Sequence, residues 1–274
     1  MTRPENSKKK NKVPAVATGS APFPEPAVIS ETRDYLVINK PAGLAVHPGG
    51  NLRQPTLADW LRRHYPETAG AGEDPDRPGI VHRLDKEVSG LMVVARNQET
   101  FSLLKKQFQA RSVDKEYVAL VYGRVAKDEG DIDFLIKRAR AGHKMAALPR
   151  QSENLLTRRS PRSRDRGNIA GFFKARTAAT GFKVLERFVN YTLVRVKIRT
   201  GRTHQIRVHF FAYGHPLVGD DLYATKKTKG KNQRLKLGRI FLVADRLAFS
   251  DRKNRRQSFS LPLPAELKNF LPHS

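Results

Sequence analysis

Asp85 is the residue of this chain whose neighbours best suit it to chemistry. It follows His82 and Arg83 and precedes Lys86, and this positive surrounding favours the ionised carboxylate. An ionised aspartate can act as a nucleophile or as a general base, although a surface ion pair is the plainer interpretation of such a cluster. The apolar run at residues 91–95 predicts a buried strand, which would hold Asp85 at the rim of a cleft.

The composition of the chain indicates an anionic partner. Its 274 residues include 52 Lys and Arg against 26 Asp and Glu, a formal net charge of +26. Such an excess favours nucleic acid or an acidic membrane surface. No apolar run approaches the roughly 18–20 residues that a spanning helix requires, so nucleic acid is the better choice. With 39% hydrophobic residues the chain can bury one good-sized core or two small ones, and we expect one domain.

Cysteine is absent from the sequence. Its absence excludes disulfides and thiolate metal sites and suits a reducing compartment, so we expect a cytoplasmic protein. Residues 202–209 contain two His and two Arg, a pattern that could be mistaken for a metal site. Zinc sites usually add a carboxylate or thiolate to such histidines. None is adjacent here, and we expect no metal.

Strands are predicted where apolar, β-branched and aromatic residues alternate or cluster. The clearest is the segment 192–198, where one face is apolar and the other mostly cationic. One face of this strand should therefore meet the core, and the other should meet something polar. The other predicted strands cover residues 35–39, 91–95, 114–123 and 241–249.

Helices are predicted from caps and apolar spacing. Thr56 should cap a helix over residues 57–65, and Asn97 should cap the next one. Thr203 should cap a third helix, which Gly214 would end in the left-handed conformation. A short helix over residues 264–271 should close the chain.

Three segments are basic and lack an apolar period. Residues 1–28 predict a flexible basic tail, which leaves residues 29–274 as the folded domain. The segment at about 150–172 has the Arg, Ser, Pro and Gly bias of a flexible insertion that would bind phosphates. Residues 226–239 carry seven Lys and Arg without an acid, and we expect them to form a loop near an RNA backbone.

Four motifs, in order along the chain, resemble those of the RluA-type RNA pseudouridine synthases. His-Arg-Leu-Asp at residues 82–85 is followed by Ser-Gly and a buried strand, with Val88 where the family usually has Thr. The other motifs are Lys-Pro-x-Gly-x-x-x-His-Pro at residues 40–48, Lys-x-Tyr-x-Ala-x-Val at residues 115–121 and Gly-Arg-Thr-His-Gln-Ile-Arg-Val-His at residues 201–209. The resemblance covers about residues 33–271.

The resemblance implies a mixed α/β (α+β) fold: a bent, largely antiparallel sheet with flanking helices and a central cleft. It implies Asp85 as the catalytic carboxylate, Tyr117 as an active-site tyrosine that stacks on the base, and Arg207 as the partner that holds Asp85 through a bidentate pair. Arg83 would fill the position that a flipped nucleotide leaves. The residues expected to contact RNA are Arg83, His82, Lys40, His47, Arg202, His204 and Gln205.

The implied reaction isomerises uridine in structured RNA, most simply in large-subunit ribosomal RNA. Isomerisation exchanges no electrons or atoms with a second molecule, so we expect no cofactor. We also expect a monomer. Two alternatives stay open at this point: the same reaction on tRNA, and a non-catalytic RNA-binding or assembly protein on the same scaffold. The presence of Asp85, Tyr117 and Arg207 together argues against the second alternative.

Overall fold

The computed structural model of the protein describes residues 24–49, 54–139, 144–149 and 175–271. Residues 1–23 of the predicted tail and the insertion expected at 150–172 lie outside the described residues. The first strand, Ala27–Glu31, begins before the end predicted for the tail at residue 28. The sequence prediction missed this strand because it is short and mostly exposed.

The centre of the fold is a mixed, largely antiparallel sheet of nine strands. Its strand order is β1-β2-β3-β11-β4-β10-β9-β5, with β12 paired to β11, and a separate three-stranded sheet has the order β7-β6-β8. The strands are β1 Ala27–Glu31, β2 Tyr35–Lys40, β3 Ser89–Ala95, β4 Asp114–Tyr122, β5 Glu129–Ile132, β6 Phe134–Arg138, β7 Met145–Pro149, β8 Arg176–Thr177, β9 Thr180–Arg187, β10 Tyr191–Ile198, β11 Leu242–Ser250 and β12 Arg256–Ser260. The architecture confirms the predicted fold class.

Five α-helices flank the sheets in the described part of the chain, and a short 3-10 helix, Pro66–Gly70, follows the first of them. The five α-helices are α1 Leu57–His64, α2 Gln98–Ala110, α3 Gln205–Ala212, α4 Lys226–Leu235 and α5 Ala265–Lys268. Thr56 and Asn97 cap α1 and α2 as predicted, each through its side-chain oxygen. None of the described helices is long and apolar enough to cross a membrane.

Two helix predictions were wrong. The N-cap of α3 is His204 in the left-handed conformation (φ 54°), not Thr203, and no side chain caps this helix. Residues 226–235 form helix α4 instead of the predicted loop. A capping box between Thr225 and Thr228 begins α4, and the buried Asn232 accepts a 2.6 Å hydrogen bond from the Tyr122 hydroxyl. These polar contacts hold a helix that has no apolar stripe.

Strand β3, which follows the loop that carries Asp85, makes a close approach to β11. These strands pair in parallel, with Ala244 opposite Gly90. Gly90 has a φ of +128°, and a Cβ atom at this position would lie 2.6 Å from the Ala244 nitrogen and would collide with its carbonyl oxygen. Only glycine fits here, because both the backbone angle and the spacing exclude a side chain.

We predict that Gly90→Ala lowers the free energy of unfolding by about 3 kcal/mol, because it combines backbone strain with a clash between two strands. Urea denaturation checks the value. The matched control is Gly70→Ala, since Gly70 is exposed and a Cβ there meets no atom within 4 Å. We expect the control to stay within about 0.5 kcal/mol of the parent. Equal stability of the two variants would contradict the strained contact.

Candidate active site

A cavity of about 190 Å³ opens between the loop before β3 and the start of α3. Strand β4 forms one wall through Tyr117, and the β10–α3 connection forms another. Eight of the ten residues predicted from the sequence line it. They are Asp85, Tyr117, Arg207, His82, Arg83, Arg202, His204 and Gln205.

The loop that carries Asp85 is held in place on both sides of the carboxylate. Leu84 and Val88 are buried in the main core, and the Val88 N–H donates to the Asp85 carbonyl at 3.1 Å. The Gly43 N–H donates to the Lys86 carbonyl at 2.8 Å and ties this loop to the one after β2. Val88, which departs from the family motif, therefore serves as a core residue and leaves the Asp85 side chain facing the cavity.

Arg207 is the charged centre of the site. Its side chain is 4% exposed, and Nη1 donates to Asp85 Oδ2 at 3.2 Å. The same Nη1 lies 3.5 Å from Glu87 Oε2. Burial acts to lower the pKa of Arg207, but the hydrogen bonds and charge of Asp220, with Asp85 and Glu87, raise it above its ordinary value. The guanidinium is therefore a permanent cation beside Asp85.

The prediction that Arg207 forms a bidentate pair with Asp85 was wrong. Arg207 makes its two parallel hydrogen bonds to Asp220, from Nε to Oδ2 at 2.7 Å and from Nη2 to Oδ1 at 3.0 Å. Asp220 is fully buried and also accepts from the backbone N–H groups of Leu222 and Tyr223, both at 3.0 Å. Asp220 thus fixes the guanidinium plane, and the remaining nitrogen reaches Asp85.

Sequence reasoning missed Asp220 and Tyr223 as site residues. Asp220 lies outside the four motifs, beyond the one that ends at residue 209. Its position 13 residues after Arg207, past the end of α3, gives no periodic relation between the two. The sequence offers no signal that separates Asp220 from the adjacent Asp221.

Tyr117 is 5% exposed and projects from β4 into the cavity. Burial raises its pKa well above the usual range, and the nearby Asp85 charge adds to the effect. The phenol therefore keeps its proton at neutral pH. Its ring is available as a flat apolar surface next to the Asp85 carboxylate.

His204 is fixed in one orientation by Tyr223. The Tyr223 hydroxyl accepts a hydrogen bond from the Met145 N–H at 2.7 Å and lies 2.9 Å from His204 Nδ1. With its acceptor side occupied, the hydroxyl is placed to donate to Nδ1, which leaves the imidazole proton on Nε2. Nε2 lies 3.9 Å from Asp85 Oδ2. Burial lowers the pKa of His204 despite the neighbouring Asp85 charge.

Arg83 and His47 meet at the rim of the site. Arg83 is exposed, and its Nη1 lies 2.7 Å from His47 Nε2. The other imidazole nitrogen, Nδ1, is 2.8 Å from the Pro48 carbonyl, so a neutral imidazole with its proton on Nδ1 satisfies both contacts. Burial and the Arg83 charge lower the pKa of His47. His47 lies outside the cavity lining and acts on the site through Arg83.

His82 is held by the protein on one side of its ring. Its Nε2 accepts from the Val93 N–H at 3.0 Å, and the ring stacks on Phe108 with 4.6 Å between centroids. Burial lowers the pKa of His82 to about 3, with a further contribution from the Lys115 charge. The imidazole is therefore neutral and presents only its free edge to the cavity.

Two residues expected to contact RNA are occupied by the protein itself. Lys40 is fully buried, and its ammonium donates to the carbonyls of Pro41, Leu44 and Lys86. Burial lowers the pKa of Lys40 to about 7. Its role is to hold the loop after β2 against the Asp85 loop.

Gln205 is likewise buried, and both ends of its amide are used within the protein. The amide nitrogen donates to the Ala179 carbonyl and the Thr180 hydroxyl, and the amide oxygen accepts from the Thr200 hydroxyl and the Arg202 N–H. Gln205 thus fixes the β10–α3 connection and has no free hydrogen for RNA. The RNA-contact assignments of Lys40 and Gln205 are corrected accordingly.

This arrangement agrees with a comparison against known protein families. A family model described as RNA pseudouridylate synthase matches residues 34–212. The chain belongs to this family. The match contains Asp85, Tyr117 and Arg207 and ends before Asp220, and it confirms the RluA-type resemblance found in the four motifs.

Curated relatives in the pseudouridylate synthase family are similar over most of the chain. An uncharacterised RNA pseudouridine synthase of Chloroflexus aurantiacus is 40% identical over 234 residues, which cover 85% of this chain and 64% of the relative. A Pseudomonas aeruginosa protein named ribosomal large subunit pseudouridine synthase D is 42% identical over 196 residues, which cover 72% of this chain and 52% of the relative. The chain therefore spans about half to two thirds of the length of these two relatives.

Solved structures in the same family share the fold. Human RNA pseudouridylate synthase domain containing 1 superposes with a TM-score of 0.65 at 25% sequence identity and covers 89% of this chain and 86% of the human chain. Human RNA pseudouridylate synthase domain containing 4 gives a TM-score of 0.63, also at 25% identity. The mixed α/β fold of this chain is thus shared with these two structures.

Proposed function

We propose that this protein isomerises uridine to pseudouridine in RNA, with large-subunit ribosomal RNA as the substrate. The observation that carries the proposal is the Asp85 carboxylate in the cavity, 3.2 Å from the permanently charged Arg207 and beside the Tyr117 ring. Family membership supports the reaction class. The 42% identity to a relative named for the large ribosomal subunit supports the substrate.

The reaction breaks the bond between C1′ and N1 of uridine, turns the uracil within the site, and forms a bond between C1′ and C5. A proton leaves C5 and N1 gains one, so atoms and electrons balance within the nucleotide. Asp85 supplies the carboxylate that this chemistry requires, as a nucleophile at the sugar or as a base near it. The nearby guanidinium of Arg207 donates to that carboxylate and directs it.

Tyr117 suits the binding of the base better than its deprotonation. Its raised pKa keeps the phenol neutral, so a phenolate base would be scarce at neutral pH. A flat apolar ring beside the carboxylate can stack on the uracil while it turns. Proton removal from C5 then falls to Asp85 or to water.

A uridine inside folded RNA has to leave its stack to enter this cavity. Arg83 at the rim is exposed and planar, and within the described part of the chain its guanidinium is held by the acceptor nitrogen of His47. It can leave that contact at small cost and stack in the vacated position. This role of Arg83 remains part of the proposal.

Pseudouridine mapping of ribosomal RNA and tRNA from cells with and without the gene tests the substrate. We expect at least one position in large-subunit ribosomal RNA to revert to uridine when the gene is deleted. The purified protein should restore that position in unmodified RNA. Reversion confined to tRNA would contradict the ribosomal substrate and indicate tRNA instead. Unchanged maps together with an inactive purified protein would indicate a non-catalytic RNA-binding role.

The hydrogen bond between Tyr223 and His204 gives a further prediction. We expect Tyr223→Phe to lower the single-turnover rate about three- to tenfold, because the loss of one hydrogen bond frees the imidazole to change tautomer. Nitrogen NMR of labelled histidine should show His204 with an unprotonated Nδ1 in the parent and a mixture of tautomers in the variant.

Tyr191→Phe is the matched control, since Tyr191 lies on β10 with its ring against Tyr122, outside the cavity. We expect the parent rate and the parent His204 spectrum in this control. A parent protein with the proton on Nδ1 of His204 would contradict the assigned hydrogen-bond direction, whatever the rates.

A further inference from the structure

A second groove lies directly beside the active-site cavity. Four residues line both spaces, so the two are continuous: Lys115, Ile198, Gly201 and Arg202. Among the described residues, four cationic side chains line this groove, Arg111, Lys115, Arg199 and Arg202, and no Asp or Glu does. We call the space that Arg111, Lys115, Arg199 and Arg202 line the cationic groove.

Lys115 is half-buried, as is Arg202, and both lie at the boundary between the cationic groove and the active site. Lys115 Nζ lies 5.1 Å above the Phe108 ring, and Phe108 in turn stacks on His82. Burial lowers the pKa of Lys115 to about 8, and no carboxylate of the described residues opposes this effect. A half-buried ammonium without an acid beside it is costly, and an anion in the groove would offset the cost.

Within the described residues, Arg202 and its neighbours also lack enough acids to balance their positive charges. Burial lowers the pKa of Arg202, and the positive charges of Arg176 and Arg111 lower it further. Arg202 Nε makes one contact within the described residues, 3.4 Å from the Thr177 carbonyl. Arg199 lies 3.9 Å from one carboxylate, the exposed Asp131. Like charges are therefore gathered at one place without an equal number of acids.

We propose that the cationic groove binds the backbone phosphate next to the nucleotide in the active-site cavity. The inference rests on the proposed function, because it takes RNA as the ligand. A nucleotide in the cavity carries a phosphate on each side, and the groove is continuous with the cavity at Lys115 and Arg202. Lys115 and Arg202 meet the first phosphate on that side, while Arg111 meets the strand further out.

The first test measures the affinity of fluorescently labelled pentauridylate against salt for the parent and for Lys115→Gln. A single-strand phosphate contact contributes about 0.7 to the slope of log affinity against log salt. We expect the slope to fall by about that amount in Lys115→Gln and to return to the parent value in Lys115→Arg. The Arg variant keeps the charge and shows whether the position folds normally.

Lys253→Gln is the matched control, since Lys253 is an exposed lysine in the turn between β11 and β12 and lines neither the cavity nor the groove. It removes the same net charge, and we expect it to keep the parent slope. An unchanged slope in Lys115→Gln, or an equal fall in Lys253→Gln, would overturn the proposal.

The second test locates the phosphate and identifies its source. Pentauridylates that carry one neutral methylphosphonate linkage should include one position at which Lys115→Gln no longer weakens binding, because the contact is already lost. Free inorganic phosphate, titrated at constant ionic strength, should not displace pentauridylate at the same concentration as the oligonucleotide itself. Equal displacement would assign the groove to a free anion and overturn the RNA assignment.

These measurements need no turnover. A cationic groove that binds pentauridylate as described would stand even if the ribosomal substrate proposed above proved wrong. Conversely, an active enzyme whose salt slope does not depend on Lys115 would refute the groove and leave the proposed function intact.

Discussion

Replacing Asp85 by Asn is expected to abolish isomerisation while RNA binding stays within a few fold of the parent. The amide keeps the size of the side chain but cannot act as a nucleophile or base at the sugar. We expect the single-turnover rate to fall by at least about 10³-fold, as when the group that performs the bond change is lost. The fold should persist, since Arg207 keeps its two hydrogen bonds to Asp220.

The measurement follows tritium released from C5 of labelled uridine in unmodified large-subunit ribosomal RNA, with enzyme in excess. Asp76→Asn is the matched control, because the Asp76 side chain is 70% exposed and lies outside the cavity. This control should keep the parent rate. Release by Asp85→Asn at a rate near that of the parent would remove Asp85 from the reaction.

Several elements of the fold could be predicted from local sequence. Strand β10 shows its alternation directly, and Thr56 and Asn97 cap α1 and α2 as their side chains suggest. These signals arise within a few residues of chain, where backbone hydrogen bonding and one buried face determine the structure. The fold class followed from them together with the family resemblance.

Helix α4 could not be predicted in this way. Its ten residues carry no apolar stripe, and the helix is held by contacts that Asn232 makes with Tyr122, Gly219 and Asp221. Such contacts join residues that lie 11 to 110 positions apart. The basic composition suggested a loop, and the tertiary contacts decided otherwise.

In the active site, too, the sequence predicted which residue types take part better than it predicted their contacts. The resemblance brought Asp85 and Arg207 together although 122 positions separate them. It could not show that the forked pair belongs to Asp220, because a motif records residue types and not which side of a guanidinium each acid meets. Lys40 and Gln205 were taken for RNA contacts for a related reason: a polar residue in a motif gives no sign of whether it faces the cleft or the backbone behind it.

Arg207→Lys is expected to lower the single-turnover rate about 10²-fold although the positive charge remains. One ammonium cannot hold Asp220 through two parallel bonds and reach Asp85 as well, and a misplacement of about 1 Å at a reacting group can have an effect of this size. Urea denaturation should show a loss of about 1.5–3 kcal/mol, because the buried Asp220 loses a charge-assisted hydrogen bond.

Arg195→Lys is the matched control, because it also replaces a half-buried arginine that pairs with carboxylates. Arg195 Nη1 donates to Asp245 Oδ2 at 3.1 Å and to Glu116 Oε2 at 3.2 Å, and none of these three residues lines the cavity. This variant should lose stability but keep its rate. If both Lys variants lost stability alone, the orientation of Arg207 would be unimportant for the reaction.

Asp220→Asn changes the support for the orientation of Arg207 while the positive charge of Arg207 is kept. Asp220 does not touch the cavity, so it acts on the rate through the groups that it holds, chiefly the Arg207 guanidinium and also the Tyr223 N–H. The amide turns one acceptor into a donor that faces a guanidinium N–H, and we expect the guanidinium to shift and the rate to fall at least tenfold with RNA affinity unchanged. A fast Asp220→Asn variant beside a slow Arg207→Lys variant would mean that Arg207 acts on Asp85 through its own contact, without the support of the buried carboxylate.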